Sequence, residues 1–369
     1  MLRKGSLGAI WLAVASLLLI NSVPAQALVL PELFVKLAAS PTLANPGIIL
    51  IDPASDDIIF SVEPDIGRAP ASVLKLISMA TVLSTFNPDL TFKTSISPTQ
   101  TPGTFYMKGE ADPWLTESPF EAQKYHRAFL PTLINKVLAA HPELKTITLQ
   151  YSNVYMADIR ALQRYFSGRL TIVPVKVASN VGATSEIASI SSPTLAKIIE
   201  FTLLYSDNVL ADRLARAAAQ KMGFTADANG LQSAFVQTLS DLGISTVGLR
   251  VYDGNGLSHR DRVTVRQLAD LLVAIKTDPK FKAIVDGLPT SGKTGTLKTR
   301  FVVDAPKAVG LIHAKTGWIN RTVSLAGYVS VGAEQYVFAV VANHIRNVES
   351  ARSAARVTID QMLGAIAKP

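Results

Sequence analysis

The sequence predicts an α/β protein whose main sheet is built from both ends of the chain. Runs rich in β-forming residues lie near the start, at 47–63, and near the end, at 309–343, while apolar residues recur at helical spacing between them, at 194–243. A stretch with a different mixture of helix and strand signals, 115–185, reads as an insertion. Together these observations favour an α/β sandwich, in which helices cover a sheet, for this chain of 369 residues.

The first 27 residues carry the three parts of a secretory signal peptide. Arg3 and Lys4 give a positive start, an apolar run follows from Gly8 to Ile20, and Ala25-Gln26-Ala27 supplies a cleavage site with small residues. A membrane anchor would need a longer span than this run provides. We therefore expect residues 1–27 to be removed and the mature chain to be exported to the periplasm or a comparable extracytoplasmic compartment.

The elements of the mature chain follow from periodicity. GIILIDPASDDIIFSVE (47–63) has two β-rich runs around a turn and predicts a hairpin, and ASVLKLISMATVLSTF (71–86) has the apolar spacing of a helix. Further strands are expected at TFKTSIS, TFYMKG, KTITLQYSNVYM, RLTIVPVKVAS, GLIHAKTGW, TVSLAGYVSV and QYVFAVVANH. Further helices are expected at PFEAQKYHRAFLPTLINKVLAAH, SPTLAKIIEFTLL, NVLADRLARAAAQKMG, LQSAFVQTLSDLG, TVRQLADLLVAIK and from about Glu349 to Ile366.

Charge and composition exclude several functions. The formal charge of +8 falls to +6 when the two cations Arg3 and Lys4 are removed, so the mature chain is basic. Nucleic acid is not an expected partner outside the cytoplasm. A basic surface there favours an anionic substrate or peripheral contact with a membrane or cell wall, although ordinary surface charge explains it equally well. The chain has no cysteine, and its 5 histidines lack ligand spacing, so neither thiol chemistry nor a metal cofactor is expected.

Residues 287–294, GLPTSGKT, match the phosphate-loop pattern G-x-x-x-x-G-K-[ST]. A phosphate loop needs a preceding strand and a following helix whose N-terminus faces the phosphates. The residues that follow, GTLKTRFVVDAP, lack the apolar stripe of a helix, and an exported protein meets little ATP. A nucleotide ligand is therefore excluded.

Three short motifs occur in order: Ser72-Val73-Leu74-Lys75, Ser206-Asp207-Asn208 and a Lys-Thr-Gly triplet. Each is weak alone, but together they are typical of class A β-lactamases and penicillin-binding proteins. Lys75 is expected one helical turn after Ser72, and burial would lower the pKa of its amine enough for it to act as a base. The alternatives are a helix cap beside a solvated lysine at Ser72, and a polar helix junction at Ser206.

The triplet occurs twice, at Lys293-Thr294-Gly295 and at Lys315-Thr316-Gly317. The second follows the apolar run 309–312 and leads into VSLAGYVSV, which places it on a strand at the edge of a cleft. The first has neither a strand nor a helix signal around it. We therefore assign the functional role to Lys315-Thr316-Gly317.

The chain resembles the class C low-molecular-mass penicillin-binding proteins, the D-alanyl-D-alanine carboxypeptidase/endopeptidase family, over most of residues 45–345. The matching segments are IDPASDDIIFSVEPD, RAPASVLKLISMATVL, FYMKGEADPWLT, SSPTLAKIIEFTLLYSDNVLADRLAR, VYDGNGLSHRD, LPTSGKTGTLKTRF and HAKTGWINRTVSLAGYV. In this family the segment before the functional triplet carries G-x-x-G-T-L-K-x-R. Lys293 falls at a variable position of that pattern, so its triplet is fortuitous.

The resemblance implies a penicillin-binding, transpeptidase-like α/β sandwich: an antiparallel sheet with helices on both faces and a helical subdomain. It divides the mature chain into a catalytic domain, 28–114 and 186–369, and an inserted accessory domain, 115–185, that is reduced relative to larger family members. It implies no cofactor. The partners it implies are peptidoglycan stem peptides, with β-lactams as inhibitors, and neither nucleotides nor nucleic acid.

The resemblance also implies a mechanism. Ser72 would attack the carbonyl between two D-alanines, with Lys75 as the general base, and form an acyl-enzyme. Ser206 would relay a proton to the leaving amine. Asn208 would hold both Lys75 and a substrate carbonyl.

Substrate binding is implied for the strand that carries the second triplet. Lys315 and Thr316 would attract the terminal carboxylate of the substrate, and the backbone N–H of Trp318 would join that of the nucleophile in an oxyanion hole. Gly317, from the triplet, and Asp207, from the second motif, complete the expected substrate-binding set.

Two departures from the family pattern bear on these roles. The family has Thr or Ser after Lys-Thr-Gly, whereas Trp318 offers no hydroxyl, and DGNGLS at 253–258 replaces DGSGLS. Efficient β-lactamase activity is not expected, because no glutamate lies between Asn208 and Lys315 to activate a deacylating water. A catalytically weak scaffold protein of the same fold stays open as the alternative, as does the balance between carboxypeptidase and endopeptidase activity.

Overall fold

The computed structural model describes residues 28–178 and 182–368, so the expected signal peptide, 1–27, lies outside the described residues. The strands are β1 (Asn45–Asp52), β2 (Asp57–Val62), β3 (Lys93–Pro98), β4 (Thr104–Lys108), β5 (Leu115–Thr116), β6 (Ala128–Phe129), β7 (Thr146–Ser152), β8 (Thr171–Lys176), β9 (Ala188–Ser191), β10 (Ile312–Ile319), β11 (Thr322–Val331) and β12 (Glu334–Asn343). The α-helices are α1 (Glu32–Ala38), α2 (Lys75–Thr85), α3 (Pro119–Tyr125), α4 (Pro131–Ala140), α5 (Met156–Phe166), α6 (Leu195–Tyr205), α7 (Asn208–Lys221), α8 (Ala228–Asp241), α9 (Val265–Ile275), α10 (Lys282–Asp286) and α11 (Glu349–Ile366). Within these described ranges, no helix has both the length and the hydrophobicity to cross a bilayer.

The main sheet is antiparallel and joins the two ends of the chain, as the sequence predicts. Its strand order is β10-β11-β12-β1-β2, and the pairing of β1 with β12 runs from Asn45↔Asn343 to Ile51↔Val337. Strands β11 and β12 are almost continuously buried, which is expected of strands covered on both faces.

Alternate residues of β1 enter two different cores. Ile49 and Ile51 pack into the larger core, which includes α2 and α9, while Ile48 and Leu50 pack into a second core with α1 and α11. Because side chains along a strand point alternately to opposite faces, this pattern places helices on both sides of the sheet. The predicted α/β sandwich is confirmed.

The helix predicted at 71–86 begins as a 3-10 turn, Ala71–Leu74, and continues as α2. The turn packs against the strand that carries the second triplet, and Ser324 Oγ on β11 donates to the backbone O of Pro70 at 2.6 Å. A Cβ at Gly317 would lie 3.0 Å from the backbone O of Pro70 and 3.1 Å from the Cβ of Ala71 in this turn, and 2.0 Å from Ser324 Oγ. Only glycine therefore lets β10 approach the turn this closely.

A second sheet has the strand order β8-β7-β4-β3-β9. It extends beyond the expected insertion, 115–185, because β4 pairs in parallel with β7 and β3 pairs with β9. At its base the backbone N–H of Ser192 donates to the O of Phe92, and the N–H of Phe92 donates to Ser192 Oγ, each at 2.9 Å. We propose that the accessory unit runs from 92 to 192. These hydrogen bonds hold together the two segments through which the chain enters and leaves it.

The segment expected to form one helix, PFEAQKYHRAFLPTLINKVLAAH, forms two. Helix α3 ends at Tyr125, the next residue, His126, has a left-handed backbone (φ 53), and Pro131 begins α4. Proline suits the first turn of a helix and breaks a longer one, because it lacks an N–H to donate. Strand β6 occupies the interval.

Candidate active site

The 3-10 turn places Ser72 directly ahead of α2, whose first residue is Lys75. Lys75 is fully buried, and its Nζ donates to Ser72 Oγ at 2.8 Å. Ser72 itself is 8 % exposed, at the wall of a cavity. The predicted pairing of a hydroxyl with an amine one turn away is therefore present, and the alternative of a solvated lysine does not hold.

Lys75 is held by two further acceptors. Its Nζ lies 2.7 Å from Asn208 Oδ1 and 2.7 Å from the backbone O of Asn255. Three acceptors match the three donors of an ammonium group, so the protonated amine is fully satisfied. A neutral amine has only two N–H donors, and its free lone pair can then accept the hydroxyl proton of Ser72.

Burial lowers the pKa of Lys75 from 10.5 to about 7. The carboxylates of Asp253 and Asp207 oppose this effect, because a nearby negative charge favours the ammonium form. A substantial fraction of the amine is therefore neutral near pH 7, as a general base requires.

The Ser-Asp-Asn motif joins α6 to α7. Ser206 ends α6 with a left-handed backbone (φ 59), and Asn208 begins α7. The carboxylate of Asp207 caps α7 by accepting the N–H of Leu210 at 2.9 Å. Asp207 lies 3.9 Å from Arg127 Nη1 and does not line the cavity, so the polar-junction interpretation describes this residue, whereas Ser206 and Asn208 face the cavity.

The second triplet lies on β10 across from Ser72. Lys315 Nζ donates to Ser206 Oγ and to the backbone O of Thr316, each at 2.8 Å. Burial, and the neighbouring charge of Lys75, hold the pKa of Lys315 well below its ordinary value. The structure thus brings together Ser72, Lys75, Ser206, Asn208 and Lys315, the five residues predicted to be catalytic.

A cavity of about 360 Å³ opens between these elements. The predicted residues that line it are Ser72, Ser206, Asn208, Thr316, Gly317 and Trp318. The other lining residues are Leu257, Thr296, Arg300, Val323 and Arg356. Lys293, from the first triplet, is exposed and does not line the cavity.

The loop DGNGLS, 253–258, supplies a contact that sequence reasoning missed. Its first carboxylate, on Asp253, accepts the backbone N–H groups of Asn255, Gly256 and Ser258 at 3.1, 2.6 and 2.7 Å. This tight turn brings the backbone O of Asn255 to Lys75. The family resemblance of the loop was the signal available in the sequence, but a backbone acceptor has no side-chain signature.

Three further lining residues were also missed. Thr296 and Arg300 belong to the G-T-L-K-x-R pattern, which signalled the segment without giving a role, and Thr316 Oγ1 donates to Thr296 Oγ1 at 2.8 Å. Arg356 lies on α11, near the end of the chain, and no sequence pattern connected it with the site. In the part of the chain that the structure describes, no group of three or more His, Cys, Asp or Glu residues could hold a metal ion.

Comparison with known families agrees with this arrangement. The D-Ala-D-Ala carboxypeptidase 3 (S13) family matches residues 32–137 and 141–366, which is most of the chain. The chain belongs to this family. It is a serine-type D-Ala-D-Ala carboxypeptidase, and its resemblance to the class C low-molecular-mass penicillin-binding proteins is confirmed.

Proteins similar to this S13 chain have low sequence identity to it but a similar fold. Carboxypeptidase DacB of Mycolicibacterium smegmatis is 26% identical over 364 residues, covering 83% of this chain and 79% of the relative. Penicillin-binding protein 4 (dacB) of Haemophilus influenzae superposes with a TM-score of 0.70 at 16% identity, covering 86% of this chain and 95% of the other. A predatory endopeptidase of Bdellovibrio bacteriovorus, acylated with penicillin G and bound to an immunity protein, superposes with a TM-score of 0.64 at 17% identity. The match covers 88% of this chain and 93% of the other.

Proposed function

We propose that this chain cleaves the D-Ala-D-Ala bond of peptidoglycan stem peptides through an acyl-enzyme on Ser72. The observation that carries this proposal is the 2.8 Å contact between Ser72 Oγ and the buried amine of Lys75. The proposal is supported by the family of the chain and by the cavity that opens over the hydroxyl.

Acylation begins when the neutral amine of Lys75 accepts the hydroxyl proton of Ser72. The serine oxygen then attacks the carbonyl carbon between the two D-alanines, and a C–O bond forms. The backbone N–H groups of Ser72 and Trp318 stabilise the resulting oxyanion, and the positions of both residues at the cavity wall support this assignment.

The leaving amine needs a proton as its C–N bond breaks. Ser206 donates it through its hydroxyl and recovers a proton from Lys75, which took that proton from Ser72 in the first step. Lys315 Nζ, 2.8 Å from Ser206 Oγ, holds the hydroxyl in place. Asn208 binds Lys75 through its side-chain oxygen, which keeps the base in place, and its amide nitrogen is available to the substrate carbonyl. Water then hydrolyses the ester, returning a proton to Ser72 and releasing the shortened peptide.

Labelling with a fluorescent penicillin tests the nucleophile. β-Lactams share the acyl carbonyl of the substrate, so the wild-type chain should be labelled with one penicillin per molecule and Ser72→Ala should not be labelled. Ser330→Ala, which removes a half-buried hydroxyl at the far end of β11, is the matched control and should label like wild type. Labelling of Ser72→Ala would contradict the proposal, and a wild-type chain that is never acylated would favour the scaffold alternative.

Two finer properties belong to the same proposal. The leader would direct export and be cleaved after Ala27, and the basic charge of the mature chain supports peripheral contact with the cell wall or membrane. The likeness to an endopeptidase supports cleavage of cross-links as well as terminal residues. Digestion of purified peptidoglycan separates the two activities by mass, because carboxypeptidase activity releases single D-alanine and endopeptidase activity converts cross-linked dimers to monomers.

A further inference from the structure

The active cavity has one cation that no motif explains. Arg356, on α11, is half-buried at the cavity wall. Within the described residues its guanidinium makes no ion pair or hydrogen bond, whereas the other lining arginine, Arg300, is bound to the carboxylate of Asp360 through both Nε and Nη2. The charge of Arg300 is therefore largely neutralised by Asp360, whereas Arg356 interacts with that carboxylate only through its charge and shares no hydrogen bond with it.

The lysine of the triplet is poorly suited to supply a lasting positive charge. Lys315 is fully buried, and both burial and the nearby Lys75 favour its neutral form. An arginine stays protonated at every pH at which the protein is folded. The permanent positive charge of this cavity wall is therefore that of Arg356.

Trp318 fixes the position of this arginine. The guanidinium carbons of Arg352 and Arg356, one helical turn apart, lie 5.3 and 5.4 Å from the centroid of the Trp318 ring. These distances are typical of cation–π contacts. The residue that departs from the family pattern thus offers an aromatic face that holds a cation where the family has a hydroxyl.

We propose that Arg356 is the specificity residue for the carboxylate of the leaving residue, replacing the hydroxyl that is missing at Trp318. The inference rests on the proposed function and names the substrate class more closely: acyl-D-alanyl peptides whose leaving amine bears an α-carboxylate. A planar guanidinium binds a carboxylate through two parallel N–H···O bonds, which fixes its orientation as well as its charge.

The test compares a D-Ala-D-Ala peptide with the same peptide carrying a C-terminal amide. For wild type we expect kcat/KM to favour the carboxylate. Arg356→Gln should lower kcat/KM for the carboxylate about 10- to 100-fold, the usual loss when a charged hydrogen bond is removed, with a much smaller effect on the amide. Arg356→Lys should restore part of the preference. Arg346→Gln, an exposed arginine just before α11 that does not line the cavity, is the control and should keep the wild-type ratio.

Two further measurements test the same charge, one by salt and one in a second background. Raising the ionic strength should raise KM for the carboxylate peptide more than for the amide, because salt screens the charge on a half-buried guanidinium. The Trp318→Thr background returns a hydroxyl to the strand. In that background Arg356→Gln should lower kcat/KM for the carboxylate peptide by a smaller factor than it does in wild type.

The outcomes separate the inference from the proposed function. A carboxylate preference unchanged by Arg356→Gln, in a chain that hydrolyses the peptide and reacts with penicillin, overturns the role of Arg356 alone. A wild-type chain that neither hydrolyses the peptide nor reacts with penicillin overturns both.

Discussion

The charge state of a single amine controls the proposed chemistry. Burial removes Lys75 from water and lowers its pKa to about 7, whereas the carboxylates of Asp253 and Asp207 limit the shift. A much lower pKa would make the amine a poor base, and a pKa close to its ordinary value would keep the amine charged at neutral pH. A pKa of about 7 lies where a general base is most effective at neutral pH.

The rate of acylation should therefore rise with pH. The neutral fraction of Lys75 increases as the pH passes through about 7, so the rate constant for penicillin acylation should climb between pH 6 and 8 and then level off. Lys75→Arg should lower it by about 10²- to 10⁴-fold, because a guanidinium does not give up its proton. Rapid-mixing kinetics from pH 5 to 9 would measure both effects.

The control for this pH profile is Lys276→Arg. The pKa of Lys276 is also lowered by burial, but its Nζ donates to the backbone O of Gln335 at 3.1 Å, away from the cavity. This variant should leave the pH profile unchanged. A wild-type rate that is flat from pH 5 to 9 would show that Lys75 is not the base.

The residues that the sequence could identify are those with local spacing or a named motif. Ser72 and Lys75 are three positions apart, so one turn of helix brings them together whatever the rest of the chain does. The role of Asn255 was not predictable, because it contributes a backbone carbonyl and not its side chain. The place of Arg356 was not predictable either, because only the packing of α11 against the main sheet brings this residue to the cavity.

At the scale of elements, the site depends on one loop packed against one turn. Ala71, next to the nucleophile, has a left-handed backbone (φ 54), and Gly256 of the DGNGLS loop (φ 82) lies directly over its carbonyl. A Cβ on Gly256 would lie 2.0 Å from the backbone O of Ala71. The loop can therefore reach Lys75 only with glycine at this position.

Gly256→Ala should accordingly lower both stability and acylation. The left-handed backbone alone costs about 1–2 kcal/mol for an alanine, and the overlap with Ala71 adds to it by forcing the loop away. Displacing the loop removes the backbone O of Asn255 from Lys75, so the rate of penicillin labelling should fall as well. Urea unfolding and labelling kinetics on one preparation would measure both.

Gly332→Ala provides the comparison. Gly332 also has a positive φ (64), but a Cβ there would have no neighbour within 4 Å. It should show only the backbone cost and label at the wild-type rate. Equal losses of stability for the two variants would contradict the packing argument.

Elements were predictable where their pattern is local. The strands of the main sheet alternate or run apolar, and turn residues separate them, so β1, β2 and β10–β12 were expected where they occur. The parallel pairing of β4 with β7 was not predictable, because it joins residues about forty positions apart. The 3-10 turn at Ala71–Leu74 was read as helix, since its apolar residues continue the helical spacing of α2.

At the scale of the whole molecule, buried charges join the proposed accessory unit, 92–192, to helix α7. Arg213 on α7 donates to Asp158 on α5 at 2.6 Å, and its guanidinium lies 4.2 Å from the centroid of the Tyr155 ring. Asp112, after β4, is buried nearby, and its charge interacts with that of both Asp158 and Arg213. The accessory unit is thus tied to the helix that begins at Asn208.

Asp112 should make this junction sensitive to pH. One oxygen accepts the N–H of Trp114 at 2.8 Å, and the other has no hydrogen-bond partner among the described residues. Burial, reinforced by Asp158, raises its pKa from 3.8 to about 7. Between about pH 4 and pH 7 the folded chain keeps this proton while the unfolded chain releases it, so the contribution of Asp112 to the free energy of unfolding falls as the pH rises.

Asp112→Asn keeps the acceptor for the N–H of Trp114 and removes the titration. It should flatten the decline in unfolding free energy from pH 5 to 8 and, at pH 8, make the chain more stable than wild type by on the order of 1–4 kcal/mol, since each pKa unit corresponds to about 1.4 kcal/mol. Asp227→Asn is the control, because the pKa of that exposed cap of α8 is lowered and its titration lies below this range. Urea unfolding at each pH measures the slopes. If Asp112→Asn and wild type share one slope, the carboxyl at this junction is already ionised in the folded chain, and the argument that burial keeps it protonated is wrong.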